Sequence, residues 1–331
     1  MARLVDRSPA LSAGDLVARL VPPRRFASVR FETYVPDAAH PSQGEALSAV
    51  ERFAAALIEA ATPPARKWSW RRASVAGTDP APGRYLDGGF GVGKTHLLAA
   101  LWHASPAPKA YLTFEELTAV IGFMGMADAV SLFADFRLLC IDEFELDDVA
   151  NTLMAVTFLR SVVPGTKVAT TSNSLPDKLG EGRFSADDFR REVAAIAAQF
   201  EVVRLDGDDY RARDRAAADP GTTLAALPGV VSRDDLDGLL AHLRRVHPVQ
   251  FGALLDGLDG VAIEGLHPIA NQGDALLFVQ LVDELYDAEV AFTATGCPVG
   301  ELFPVAYRHG GYRKKYGRAE SRLAAMLAES R

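Results

Sequence analysis

Eight consecutive residues, Gly88-Gly89-Phe90-Gly91-Val92-Gly93-Lys94-Thr95, match the pattern G-x-x-x-x-G-K-[ST] in full. Glycines let the backbone curl until successive amide N–H groups point inward and cradle phosphate oxygens. A helix starting at Lys94 adds the positive partial charge of its N-terminus. In that setting Lys94 reaches the β- and γ-phosphates, and the Thr95 hydroxyl is a ligand for Mg²⁺. His96, next along the helix, is counted with the nucleotide contacts. The chemistry expected here is binding of ATP with Mg²⁺.

A second group lies 48 residues past the lysine (142 − 94). The apolar run Leu138-Leu139-Cys140-Ile141 ends in Asp142-Glu143. A strand here places Asp142 at its carboxyl end, where it can hold Mg²⁺ through water, and Glu143 where it can polarise an attacking water. The strand expected at Lys167–Ser172 ends in Asn173, a polar residue of the kind that meets the γ-phosphate or the attacking water in P-loop ATPases with an additional strand. Downstream, Arg183, Arg190 and Arg191 are candidates for an arginine finger serving a neighbouring subunit, Arg183 first among them; the plainer reading is surface arginines. Arg318 and Arg322, four apart on one helix face, could approach the nucleotide as a second sensor, or form a solvated basic helix end. The run Tyr312-Arg313-Lys314-Lys315-Tyr316 is basic and aromatic, a weak signal for nucleic acid or an acidic partner.

Alternating elements position these groups. Helices are expected at Leu11–Leu20, with Ser12 as its cap, and at Ser42–Ala61, with Leu47, Val50, Phe53, Ala54, Leu57 and Ile58 on one face. The aromatic stretch Phe26–Pro36 reads as extended. Strands at Arg84–Asp87, Ala110–Phe114, Leu138–Asp142, Lys167–Ser172 and Phe200–Leu205 alternate with helices at Lys94–His103, Glu115–Phe123, Ala150–Val162 and Ser185–Gln199. This pattern predicts an α/β fold, a parallel sheet with helices on both faces. The division expected is an N-terminal segment at 1–83, an ATPase core at 84–206, a linker at 207–220 and a C-terminal α/β extension at 221–331. In the extension, a helix at Asp234–Val246 precedes a strand–helix–strand unit (Val261–Ile263, Gly273–Tyr286, Val290–Thr295), and a helix at Ala319–Glu329 closes the chain. That unit faintly echoes the core, with Glu264-Gly265 where Asp142-Glu143 stood. Chance similarity between such units is the simpler account.

Charged residues make up 24% and hydrophobic residues 49% of the 331, which suits a folded soluble protein rather than a disordered one. The formal charge of −8 argues against nonspecific nucleic-acid binding. Two cysteines, Cys140 and Cys297, make neither a disulfide scaffold nor a zinc site. Neither a long apolar stretch nor a signal-peptide pattern is evident, so a cytoplasmic protein without a membrane span is expected.

With these residues in place, the chain resembles the ZapE family of AAA+ ATPases, bacterial cell-division proteins with mitochondrial relatives. The resemblance is carried by Pro22-Pro23-Arg24-Arg25-Phe26, Tyr34-Val35-Pro36-Asp37 with Pro41-Ser42-Gln43, the phosphate loop, Ile141-Asp142-Glu143-Phe144 with Asp148, and Thr171-Ser172-Asn173. Leu205-Asp206-Gly207, Asp209-Tyr210-Arg211, Leu281 to Asp287 and Ser321-Arg322-Leu323 extend it to nearly the whole chain. It implies an AAA+ P-loop core, ATP hydrolysis and action on a protein partner; a finger acting in trans requires neighbouring subunits, so a homo-oligomer is expected in the ATP state. In the division branch that partner is the ring protein FtsZ, with a peripheral place at the division site. It also implies that Phe26–Tyr34 lies near the adenine. Gly182-Arg183-Phe184-Ser185 departs from the usual Gln-Arg arrangement, which leaves the finger open. The competing function is a nucleic-acid-associated helicase loader, since such ATPases share the loop, the acidic pair and the N-terminal aromatic segment.

Overall fold

A computed structural model describes residues 3–62, 83–89, 91–146, 149–173, 190–207 and 218–330. The chain forms two compact units, one of Leu20–Pro22 with Phe26–Arg211, the other of Met1–Arg19, Pro23–Arg25 and Ala212–Arg331. Helix α1 (Ala13–Arg19) belongs to the latter.

The first long helix of the unit that holds the phosphate loop is α2 (Pro41–Ala61), which carries Pro at its first turn, where the missing N–H costs nothing. It buries Val50, Phe53, Ala54 and Leu57 along one stripe, while Leu47 at its edge is half-buried and Ile58, expected on the same face, is exposed. Then come β1 (Gly83–Gly88), α3 (Lys94–Ala104), β2 (Lys109–Thr113), α4 (Phe114–Met124), α5 (Met126–Ala134), β3 (Leu138–Asp142), α6 (Val149–Val162), β4 (Lys167–Ser172), α7 (Arg190–Ala197) and β5 (Phe200–Leu205). All five strands are parallel, in the order β2-β3-β4-β1-β5. Every residue of β3 is buried, as an unbroken apolar run in a two-sided parallel sheet requires. The α/β class expected from the alternating pattern is the one observed.

Two local differences have physical causes. Residues 26–36 are not extended but carry 3-10 turns at Arg24–Phe26 and Phe31–Thr33. The Thr33 hydroxyl accepts the Arg30 N–H at 2.9 Å and donates back to the Arg30 carbonyl at 2.8 Å, closing the turn locally. The helix after β2 is followed by a second, α5, because Gly125 at φ 89 ends α4 and redirects the chain. Thr113 and Glu116 begin α4 as a reciprocal capping pair, Glu116 N–H to the Thr113 hydroxyl at 3.1 Å and Thr113 N–H to the Glu116 carboxylate at 2.5 Å.

The second unit is built on β6 (Val231–Asp235), α8 (Leu236–Leu243), the single turn α9 (Phe251–Leu254), β7 (Gly260–Leu266), α10 (Gln272–Asp287), β8 (Ala291–Gly296) and α11 (Arg313–Glu329). Its three strands are parallel, in the order β6-β7-β8. The helix expected at Asp234–Val246 is therefore shorter, its start given over to β6, with the Asp235 carboxylate capping α8 through Gly238 N–H at 2.7 Å. The last helix starts at Arg313 rather than Ala319, because Tyr316 is fully buried against Phe303 and Tyr307 with ring centroids 4.8 and 5.3 Å away. Buried Asp234 takes the Leu4 N–H at 2.8 Å, which ties the first residues of the chain into this unit.

Candidate nucleotide site

β1, β3 and β4 are in parallel register, Asp87 opposite Ser172 and Ile141 opposite Thr170, so their carboxyl ends share one edge. Because β4 lies between β1 and β3, Asn173 stands between the phosphate loop and the acidic pair. That edge is where ligands bind in open α/β sheets.

In the loop, Gly91 has φ 72 and Gly93 φ 93, left-handed values that a side chain strains. Phe90 lies outside the described residues. Lys94 is buried, and its Nζ donates to the carbonyls of Gly88 at 2.8 Å and Gly89 at 2.5 Å and to Asn173 Oδ1 at 2.9 Å. The Thr95 hydroxyl donates to Asp142 Oδ1 at 3.2 Å. His96 turns its ring to the N-terminal segment, with Nε2 2.9 Å from Thr33 Oγ1 and 3.3 Å from the Arg30 carbonyl. Burial pushes its pKa down, against that carbonyl contact.

Asp142 is only 6% exposed, so its charge must be met by donors. Tyr111 donates to Oδ2 at 2.9 Å, while the Thr171 hydroxyl, the Thr95 hydroxyl and the Glu143 N–H all reach Oδ1. Burial, then the neighbouring Glu143, raise its pKa; the bonds from Thr171, Tyr111 and Thr95 pull it back. Glu143 has φ 52, a costly value for a residue with a side chain. Thr171 pins it there: Oγ1 accepts the Glu143 N–H at 3.0 Å, and its carbonyl accepts the Phe144 N–H at 2.7 Å. The Asn173 N–H donates to Glu145 Oε1 at 3.1 Å. At the end of β1, burial raises the Asp87 pKa, and Lys94 and Arg204 oppose it.

The donor set fits a small hard cation: a hydroxyl and a carboxylate together, leaving positions for phosphate and water as Mg²⁺ prefers. Among the described residues no group of three or more His, Cys, Asp or Glu could hold a metal ion.

Arg183 falls outside the described residues. Arg190 and Arg191 open α7, with Arg191 exposed. Arg318 and Arg322 are on α11 of the second unit, where Asp283 accepts from Arg318 at 2.6 Å and from Arg322 at 2.9 Å, and Asp287 from Arg322 at 3.3 Å. In the Tyr312–Tyr316 run, Tyr316 is a core side chain while Lys315 lies over the Tyr312 ring at 5.4 Å. Sequence reasoning gave no role to Tyr111 or Glu145 and placed Thr171 only within a family motif. A single phenol inside an apolar strand carries no spacing signal; the threonine two residues before Asn173 was the available clue.

A glycine loop feeding a helix N-terminus, a loop lysine, a paired hydroxyl and carboxylate, and a strand inserted between them define a P-loop ATPase of the additional-strand class. The chain belongs to the AFG1-like ATPase family, whose sequence model matches residues 20–243 and 233–330. No curated protein matches it. Among solved structures, AMPPCP-bound DnaA from Aquifex aeolicus is similar at 15% identity over 55% of this chain and 51% of that chain, with a TM-score of 0.41. DnaI is similar at 18% identity over 59% of this chain and 98% of that chain, TM-score 0.43. The DnaC helicase loader is similar at 18% identity over 55% and 99%, TM-score 0.39. The chain spans about half the length of the replication initiator structures it matches, 50% to 51% of those chains. None of these likenesses carries an assignment.

Proposed function

We propose that this protein hydrolyses ATP with Mg²⁺ to remodel or regulate a protein assembly. The observation that carries the hydrolytic part is Glu143: its backbone is held in a costly conformation beside Asp142 by Thr171, which is more than nucleotide binding requires. Lys94 and the loop amides hold the phosphates, and Thr95 and Asp142 hold Mg²⁺. A metal held there would supply positive charge against the phosphates. Glu143 takes a proton from the attacking water at its carboxylate, and Asn173 orients the γ-phosphate or that water. Arg183 of a neighbouring subunit is the proposed finger, which makes the ATP state a homo-oligomer.

Purified protein should turn over ATP in the presence of Mg²⁺, and Lys94→Ala should abolish it. No nucleotide binding by the wild type at millimolar MgATP would sink the ATPase reading. Mixing Arg183→Ala with Lys94→Ala subunits tests the finger: restored turnover in the mixture supports action in trans.

For the partner, the ZapE-like elements Asp142-Glu143-Phe144, Thr171-Ser172-Asn173 and Ser321-Arg322-Leu323 favour a cell-division role at the FtsZ ring. The acidic charge of −8 ranks nucleic acid behind protein. Among the described residues no single helix is long and apolar enough to cross a membrane; α4 and α5 pass that test only as a pair bent by 119°. Trapping partners on Glu143→Gln with ATP, followed by sedimentation of FtsZ polymers with the wild type, tests this. ATP-dependent loss of polymer supports the role, and unchanged polymer removes it.

A further inference from the structure

Residues 30–43 of the ATPase unit lie against the phosphate loop. Tyr34 is 8% exposed, and its ring covers Gly93 so closely that a Cβ on that glycine would come within 2.5 Å of it. The phenol donates to the Val92 carbonyl at 3.1 Å. The ring also meets His96 edge to face, centroids 5.5 Å apart. The far end of the same segment is tied to the end of β5. Gln43 accepts the Asp37 N–H at 2.9 Å and donates to the Asp206 carbonyl at 3.0 Å, and the Ser42 hydroxyl accepts the Asp206 N–H at 2.9 Å. Gly207, next along, packs where a Cβ would meet Gln43 Nε2 at 2.6 Å and Val92 Cγ1 at 3.2 Å. Val92 is thus contacted from Tyr34 on one side and approached by Gly207 on another.

A peptide group is planar and trans, so its carbonyl and its N–H point in opposite directions. Holding the Val92 carbonyl on Tyr34 therefore aims the Gly93 N–H away from Tyr34. We propose that Tyr34 is a positioning residue of the nucleotide site, which presets the Val92–Gly93 peptide so that its N–H serves the phosphates rather than turning outward. This rests on the ATP-binding reading above. It places the N-terminal aromatic segment on the phosphate end of the nucleotide through Tyr34, a different task from contact with the base. Burial lifts the Tyr34 hydroxyl to about 12, so it remains a donor throughout the working pH range.

The test is nucleotide affinity of the full chain by competition against a fluorescent ATP analogue. ATP, ADP and GTP are compared in the wild type, Tyr34→Phe and Tyr34→Leu. Tyr34→Phe keeps the ring and loses only the hydroxyl, so its fold is preserved and its thermal melting should stay within a few degrees of wild type. It should weaken ATP and ADP by ~5-fold each, the fold-change equivalent of one hydrogen bond of about 1 kcal/mol. Tyr34→Leu, which also uncovers Gly93, should weaken them further, and the ratio of GTP to ATP affinity should not change in either. Wild-type affinity in Tyr34→Phe overturns the proposal, and so does a loss that alters only the ATP-to-GTP ratio, since Tyr34 then reads the base. A wild type that binds no nucleotide overturns the ATPase reading itself, an outcome distinct from both.

Discussion

Lys94 Nζ donates to Asn173 Oδ1 at 2.9 Å, joining the phosphate loop of one strand to the tip of its neighbour β4. The bond is possible only because β4 sits between β1 and β3. Asn173→Ala removes the acceptor while leaving the Gly88 and Gly89 carbonyls to Lys94. Turnover should fall by ~10-fold or more, as expected for a polar group acting on developing charge. ATP affinity should change by less than about 3-fold, which separates a transition-state role from uniform binding. Asn173→Asp should behave differently, weakening ATP binding by setting a carboxylate against the phosphates. Equal turnover in Asn173→Ala and wild type would remove Asn173 from the site.

Glu143→Gln preserves size but exchanges one acceptor oxygen for an NH2 donor and cannot accept a proton. Turnover should drop by roughly 10²- to 10⁴-fold, the range for a general base, while ATP stays bound. A single-turnover experiment reads both quantities. Rapid hydrolysis of prebound ATP by the variant would show that the base lies elsewhere.

The site strands were legible because a parallel, two-sided strand reads as an apolar run that stops at a chemically active residue, as at Ile141-Asp142-Glu143. β6 was not, because its inward positions are polar. Ser232 and Asp234 are buried, and Asp234 is there to hold the Leu4 and Val5 N–H groups, partners 230 and 229 residues away. No local pattern announces such a contact. The faint echo between the two units proves more extensive in geometry than in sequence. Gly265 has φ 70 where Glu143 has φ 52, and Thr295 Oγ1 accepts the Gly265 N–H at 3.2 Å as Thr171 Oγ1 accepts that of Glu143 at 3.0 Å. The chemistry does not carry over, since Glu264 is paired with Arg233. Tyr34 was visible only as part of a motif, because its role depends on a loop that starts more than fifty residues later, at Gly88.

Asp142 owes its place to its donors, so removing one should be felt twice. Thr171→Val keeps the shape but removes one hydroxyl donor from Asp142, leaving Tyr111 and Thr95, and leaves the Glu143 N–H only Asp142 Oδ1 as acceptor. The expected loss is about 1–3 kcal/mol, the range for a lost hydrogen bond to a charged group, seen as a melting point lower by roughly 2–10 °C. Tyr111→Phe removes only the bond to Oδ2 and should cost less. Both variants should need more Mg²⁺ for tight ATP binding, because the carboxylate that holds the metal is less well fixed. If Mg²⁺ dependence is unaltered in both while stability falls, these residues act on packing alone.

In the second unit, Arg244 grips Asp274 with a two-pronged contact, Nε to Oδ1 at 2.6 Å and Nη2 to Oδ2 at 2.5 Å. The Asp274 side chain is 8% exposed, whereas that of Arg244 is 57% exposed, so solvent screens the pair and its contribution is small. The Arg244 guanidinium holds the Asp274 carboxyl below its usual 3.8. A carboxyl whose pKa is lower in the folded than in the unfolded chain adds stability above the unfolded value and loses it as pH falls through the folded one. Asp274→Asn should therefore lower the melting temperature at neutral pH, with the gap to wild type closing below about pH 4. Melting curves of both proteins across that range measure the gap directly. A gap that stays constant into acid would mean that Asp274 contributes through packing rather than through its charge.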